Sequence, residues 1–152
     1  MMNEAEFLAA LRRMWQATDP VPAHLADQVL LALELEDLEF ELLQLNEVVD
    51  TAGVRGSDTT VTMIFGGDEV TVTVTVSAGP GHSRRLDGWI DPPAALRIEV
   101  HTGRSSPRTV ADDTGRFSFP ELPAALVRLV FLPTVGAAVD LTRPFVTPAV
   151  QI

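Results

Sequence analysis

A strict alternation of valine and threonine near the middle of the chain is the feature that most limits its fold. The alternating residues are Val70, Val72, Val74 and Val76 with Thr71, Thr73 and Thr75 between them. Both residue types are β-branched, and successive side chains on a strand point to opposite faces. The pattern therefore predicts a strand with one apolar, buried face and one exposed face.

Further short segments of this kind are separated by turn signals. Val61, Met63 and Phe65 form one, and Gly66 to Glu69 suits a hairpin connection after it. Later segments are 86–90, 96–101, 108–111, 116–119, 127–131 and 145–152, the last of which is expected at a sheet edge because it contains Pro148. Many short strands at this spacing predict an antiparallel β-sandwich over residues 51–152. Its predicted core includes Val72, Val74, Phe117, Phe119 and Leu129.

The first residues of the chain predict two helices instead. Asn3 followed by Glu6 has the form of a capping box, and apolar residues then recur at helical spacing. We expect one helix over residues 4–17, with the stripe Phe7, Leu8, Leu11, Met14 and Trp15. The prolines at 20 and 22 end it and suit the start of a second helix over residues 22–36, with the stripe Leu25, Val29 and Leu33.

Residues 35–49 allow two interpretations. Leu35, Leu38, Leu42, Leu45 and Val49 fit a continuing helical seam, whereas Leu38, Phe40 and Leu42 alternating with Glu39 and Glu41 fit a half-buried strand. A helix over 22–49 would leave Phe40 off its seam, so we favour a strand over 38–47. The predicted fold is α+β: an acidic helical segment at 1–50, with two helices and this strand, followed by the sandwich.

Acidic residues are concentrated in that first segment. The net charge of the chain is -10, and residues 1–50 carry eleven Asp or Glu with only two Arg. Such a segment repels phosphates and attracts a basic protein, so we expect a protein partner and no direct nucleic-acid binding. The candidate partner-binding residues are Glu34, Glu36, Asp37, Glu39, Glu41 and Trp15. The alternative is that the carboxylates form a solvated face, while any interaction, including self-association, uses a sheet edge.

The two tryptophans have different predicted environments. Trp15 lies on the apolar stripe of the first helix, which favours packing in the core over recognition of a partner. Trp89 alternates with inward-pointing neighbours and is expected on the outer face of its sheet, where the helices could cover it.

No residue pattern indicates an active site. The chain has no cysteine, and His24, His82 and His101 lie in different elements without the spacing of metal ligands. The carboxylates Asp112 and Asp113 suit a hairpin turn. No nucleophile elbow or phosphate-binding loop occurs. We therefore predict a protein that is not an enzyme, with no catalytic, metal-binding or cofactor-binding residues.

No basic region followed by an apolar run opens the sequence, and no stretch approaches the roughly 18–20 apolar residues that span a bilayer. We expect a cytoplasmic protein that does not enter a membrane.

Part of the predicted sandwich resembles a known family. Residues 86–90 and 96–100, and above all 113–123 (Asp-Thr-Gly-Arg-Phe-Ser-Phe-Pro-Glu-Leu-Pro) followed by Leu129, are similar to the carboxypeptidase regulatory-like, or transthyretin-like, β-sandwich family. This resemblance implies that residues 84–152 form a non-catalytic accessory module.

The whole chain also resembles small actinobacterial proteins encoded beside extracytoplasmic-function sigma factors and caspase-like CHAT proteases. The similar pieces are 11–15, 19–22, 32–38, 85–89 and 146–150. This second resemblance implies an interaction role, either as an anti-sigma-like regulator or as an adaptor or protease substrate in a bacterial defence system.

Overall fold

A capping box starts the first helix, as the sequence predicts. In the computed structural model, which describes residues 1, 3–23, 25–33, 36, 39–52, 59–134 and 143–152, the Asn3 side chain accepts a hydrogen bond from the backbone of Glu6 at 2.8 Å. The Glu6 carboxylate accepts one from the backbone of Asn3 at 3.0 Å. Helix α1 spans Glu4–Thr18 and helix α2 spans Leu25–Leu33. The second helix is shorter than predicted, because Glu36 already lies in a turn.

The other regular elements of the described chain are all β-strands. The strands are β1 (Glu41–Leu42), β2 (Gln44–Ala52), β3 (Thr59–Gly66), β4 (Thr71–Ala78), β5 (Arg84–Asp91), β6 (Leu96–His101), β7 (Arg108–Val110), β8 (Arg116–Leu122), β9 (Leu126–Pro133), β10 (Phe145–Val146) and β11 (Val150–Gln151). The predicted α+β class, two helices and a sandwich-like pair of sheets, is confirmed.

Two sheets face each other. We call the sheet with the order β1-β10-β9-β6-β7, in which β11 also pairs with β9, the helix-covered sheet, and the sheet with the order β2-β3-β4-β5-β8 the open sheet. The open sheet is antiparallel throughout. The helix-covered sheet contains one parallel pair, β1 with β10.

The alternation read from the sequence places the core between these sheets. The five predicted core residues, Val72, Val74, Phe117, Phe119 and Leu129, are all buried, so that prediction is confirmed. The phenylalanine rings pack edge to face: the centroid of Phe117 lies 6.4 Å from that of Phe119 and 5.8 Å from that of Phe131. Such pairs add stability beyond the burial of their area.

The single strand predicted over 38–47 is replaced in the structure by two strands, β1 and β2, that belong to different sheets. The chain leaves the helix-covered sheet after β1 and enters the open sheet at β2, and Leu43 between them is buried. Its backbone N–H donates to the carbonyl of Val146 at 2.8 Å. Leu42, which was expected to point inward, is 58% exposed because the change of sheet at Leu43 interrupts the alternation. Leu38 lies outside the described residues.

The last predicted strand is also corrected. It forms two short strands, and β10 lies between β1 and β9 rather than at an edge, with Phe145 and Val146 buried. Pro148 falls between β10 and β11, so its missing N–H removes no hydrogen bond from the pairing of either strand.

Helix α2 lies on the outer face of the helix-covered sheet. Its Leu31 is buried, and the Leu31 carbonyl accepts a hydrogen bond from the guanidinium of Arg128 on β9 at 3.5 Å. Leu30 lies against Gly103. No helix in the described part of the chain is long and apolar enough to cross a membrane.

Candidate partner-binding surface

The apolar stripe of α1 faces solvent. None of its residues is buried, and Phe7, Leu8, Met14 and Trp15 are each at least half exposed, with Trp15 at 65%. The prediction that Trp15 packs in the core is therefore wrong. The reason is that α2, and not α1, is the helix that packs on the sheet.

Helix α2 is apolar on two sides, and only one of them meets the sandwich. Leu31 points to the sheet, whereas the predicted stripe of Leu25, Val29 and Leu33 is exposed. At 3.6 residues per turn these three residues lie on the side of the helix opposite Leu31. The N-terminal helices thus present two apolar stripes to solvent, and contiguous exposed apolar surface is typical of interaction sites.

The predicted carboxylates have unequal roles in the structure. Glu36 and Glu39 are exposed. Glu41 is partly buried, and its Oε1 atom accepts a hydrogen bond from the backbone N–H of Asp68 at 2.9 Å, which ties β1 to the hairpin between β3 and β4. Glu34 and Asp37 lie outside the described residues. Glu36 and Glu39 are therefore the two of these carboxylates that are free to meet a partner without loss of a described contact.

Trp89 lies on the outer face of the open sheet, as predicted, but the helices do not cover it. Helix α2 lies over the other sheet, and Trp89 is 52% exposed. The guanidinium carbon of Arg116 sits 5.9 Å from its ring centroid, a cation–π distance. Beside it, a shallow groove of about 660 Å³ is lined by hydroxyls and by Asp87.

Charged side chains near this groove already form ion pairs or hydrogen bonds within the protein. Arg85 and Asp87 form an ion pair at 2.7 Å, and hydrogen bonding to the carboxylate raises the pKa of Arg85. In the turn before β8, hydrogen bonds from Thr114 and from the backbone of Arg116 lower the pKa of Asp112. These contacts explain the local geometry without requiring a ligand.

On the helix-covered sheet, His101 and Glu99 form the remaining polar pair of note. The Nε2 atom of His101 lies 3.0 Å from Glu99, whose other oxygen is 3.3 Å from Arg97. Among the residues that the structure describes, no three His, Asp or Glu side chains cluster in a way that could hold a metal ion.

Comparison with known proteins adds nothing to this geometry. No protein-family model matches the chain, and no curated protein or solved structure matches it significantly.

Proposed function

We propose that this protein is a non-enzymatic, cytoplasmic interaction module that binds a basic protein through its N-terminal helices. The observation that carries the proposal is the solvent-facing stripe of α1, with Trp15 at its C-terminal end. Tryptophan is among the residues that contribute most to binding energy at protein interfaces. An amphipathic helix whose apolar face has no intramolecular partner suits insertion into an apolar groove.

Charge supports the choice of a basic partner. Residues 1–50 carry eleven acidic against two basic side chains, and most of the acidic ones follow α2 in the sequence. Attraction between opposite surfaces speeds association, and salt screens it. A regulator of an extracytoplasmic-function sigma factor, acting as an anti-sigma factor does, would meet such a partner, because sigma factors carry basic DNA-binding surfaces.

A second candidate function is an adaptor or protease substrate in a CHAT-protease-associated defence system. The feature that favours it is that α1 has no buried residue, so it can open locally at low cost and expose its backbone to a protease. In either case we propose that the sandwich is of the transthyretin-like type and serves as a scaffold. The turn at residues 113–115, which precedes β8, supports that type because it belongs to the motif that resembles the family.

Two exposed tryptophans allow a matched test of the helix surface. The probe is an extracytoplasmic-function sigma factor from the same genome, titrated calorimetrically with the wild type, Trp15→Ala and Trp89→Ala. We expect Trp15→Ala to weaken binding about 30-fold or more, which is the 2 kcal/mol of an interface hot spot. Trp89→Ala should change the dissociation constant less than about twofold. Equal effects of the two substitutions would refute the assignment of α1 as the binding surface.

The contribution of charge is tested by association rates. Glu36→Gln combined with Glu39→Gln should slow association and reduce its dependence on salt between about 0.05 and 0.5 M. A double variant with Glu69→Gln and Glu121→Gln removes the same charge from exposed positions elsewhere. If both double variants slow association equally, net charge alone explains the effect, and Glu36 and Glu39 do not form part of the partner surface.

A further inference from the structure

Strand β2 forms a long edge of the open sheet. It spans nine residues, Gln44–Ala52, and in the described part of the chain it pairs with β3 alone. Along an antiparallel edge strand, alternate residues direct both backbone hydrogen-bonding groups away from the sheet. Such a row of groups is a template on which another extended chain can pair.

The other sheet edges are protected in ways that β2 is not. Strands β1 and β7, at the edges of the helix-covered sheet, are two and three residues long. Strand β8, at the far edge of the open sheet, carries Arg116 and Pro120. Short length, basic side chains and proline all discourage pairing of edges. Strand β2 contains no proline and no basic residue, and its one irregularity is a bulge between Leu45 and Glu47. Residues 47–52 are therefore the continuous stretch open to pairing.

The side chains of β2 leave apolar surface on both faces of the sheet. Val48 pairs with buried Met63 and points to the inner face, yet Val48 is 52% exposed. Val49, its neighbour on the outer face, is 42% exposed. A strand added beside β2 would cover both valines, and burial of apolar area contributes about 25 cal/mol per Å².

Charge distinguishes between the possible occupants of this edge. The stretch 47–52 carries Glu47 and Asp50 and no basic side chain. A second copy of the chain would bring the same carboxylates to the same edge, on a molecule whose net charge is also -10. Like charges on neighbouring strands are destabilising, whereas opposite charges are stabilising.

We propose that an extended segment with alternating basic and apolar residues, supplied by a partner protein, pairs with β2 over residues 47–52. It extends the open sheet by one strand, with its apolar side chains on the inner face beside Val48 and its basic side chains on the outer face near Glu47. This contact is separate from the helix surface, and it rests on the proposed function only in taking the partner to be basic.

A synthetic peptide is a direct probe of this edge. The peptide alternates lysine and valine over seven residues and has blocked termini. Its control has the same sequence with alternate backbone nitrogens methylated, which keeps the charge but removes the hydrogen-bond donors. We expect the unmodified peptide to bind at least about tenfold more tightly than the control, equivalent to 1.4 kcal/mol. Hydrogen exchange should then show new protection of amides within residues 47–52.

Two lysine substitutions locate the site. Val48→Lys places a positive charge on the β2 edge, and Val110→Lys places the same charge at a similarly exposed valine on the β7 edge, 59% exposed against 52%. Both change the net charge by one, so their effects on long-range attraction are matched. We expect Val48→Lys to weaken peptide binding about tenfold or more and Val110→Lys less than about twofold.

Several results would overturn the proposal. The absence of peptide binding, equal binding of the methylated control, or equal effects of the two lysine substitutions would each show that the edge does not pair. Concentration-dependent dimers with protected β2 amides in the absence of peptide would assign the edge to a second copy. Trp15→Ala should leave peptide binding unchanged, so failure of the helix-surface proposal and failure at this edge are distinguishable.

Discussion

Gly88 on β5 has no room for a side chain, and this makes it a sharp test of the packing between the sheets. Gly88 is the direct cross-strand neighbour of Phe117 on β8. A Cβ atom added at Gly88 would lie 2.5 Å from Cε1 and 2.6 Å from Cε2 of the Phe117 ring. That ring is buried and packs against Phe119 and Phe131, so it cannot move without disturbing both.

The expected cost of Gly88→Ala follows from two opposing terms. Forcing extra volume into a packed core costs about 1–3 kcal/mol. Replacing glycine restricts the unfolded chain and returns about 0.4–1 kcal/mol. We expect a net loss of about 1–2 kcal/mol in the free energy of unfolding, which lowers the melting temperature by about 2–8 °C in a protein of this size.

The effect of Gly88→Ala on the free energy of unfolding should change sign when the Phe117 ring is absent. Phe117→Ala alone should cost about 3–5 kcal/mol, as large-to-small changes in a core do. In that background Gly88→Ala meets no ring, so it should be neutral or stabilise by up to about 1 kcal/mol. The coupling between the two sites is therefore about 1–3 kcal/mol.

Urea denaturation of the wild type, both single variants and the double variant measures this coupling, with unchanged m-values as the check on two-state unfolding. If the two single effects simply add, the Phe117 ring does not rest on Gly88, and the register between β5 and β8 is wrong.

Three further substitutions test other parts of the fold. Asn3→Ala removes the cap of α1 and should lower helicity by circular dichroism, at a cost of about 0.5–2 kcal/mol to the helix; unchanged helicity would contradict the capping box. The backbone N–H of Leu129 donates to the hydroxyl of Thr147 at 3.0 Å. Thr147→Val would leave this N–H buried without a partner and should lower the free energy of unfolding by about 1–3 kcal/mol. Thr147→Ser keeps the hydroxyl and should leave the free energy of unfolding nearly unchanged in the same denaturation assay. The lowered pKa of Asp112 means that its contribution to stability is present above its unfolded pKa and is lost as the pH falls through the lower folded value. Asp112→Asn should accordingly flatten the melting temperature against pH in the acidic range, and an unchanged profile would show that this carboxylate is not the group responsible.

Strands β3 and β4 of the open sheet could be predicted because one local signal decides them. Along β4, valine and threonine alternate without a break, and in the interior of β3 only Ile64 departs from the apolar–polar alternation; burial in the structure follows the same period. Pairing with neighbours on both sides preserves this period, so local pattern and tertiary structure agree.

The N-terminal segment could be predicted only in part. Helical spacing and a capping box were enough to locate α1, but an amphipathic stripe shows only that a helix has an apolar face. It does not show whether that face meets the same chain or another, which is why Trp15 was expected in the core and is exposed. At Leu43 the chain passes from one sheet to the other. The periodicity of apolar residues does not reveal such a change within a few residues, so a single strand was predicted there.

The candidate site could also be predicted only in part, because it depends on contacts between residues that are distant in sequence. The acidic crowding indicated residues 34–41 as an interaction surface, but the structural role of Glu41 depends on Asp68, which is distant in sequence. The exposed edge of β2 was not singled out, because exposure of an edge depends on which strand has no second neighbour. The one available signal was the absence of proline and basic residues over 44–52.

The parallel pairing of β1 with β10 has a consequence for the order of events during synthesis. Glu41 pairs with Phe145, and Leu42 pairs with Val146. Strand β9, on which α2 packs, also comes late in the chain. Translation delivers N-terminal residues first, so both helices leave the ribosome well before the strands that hold α2 in place. For most of that interval the side of α2 that carries Leu31 has no sheet to pack on. The solvent-facing stripes of α1 and α2 need no such support, so the proposed partner surface is present on the nascent chain before the sandwich is complete.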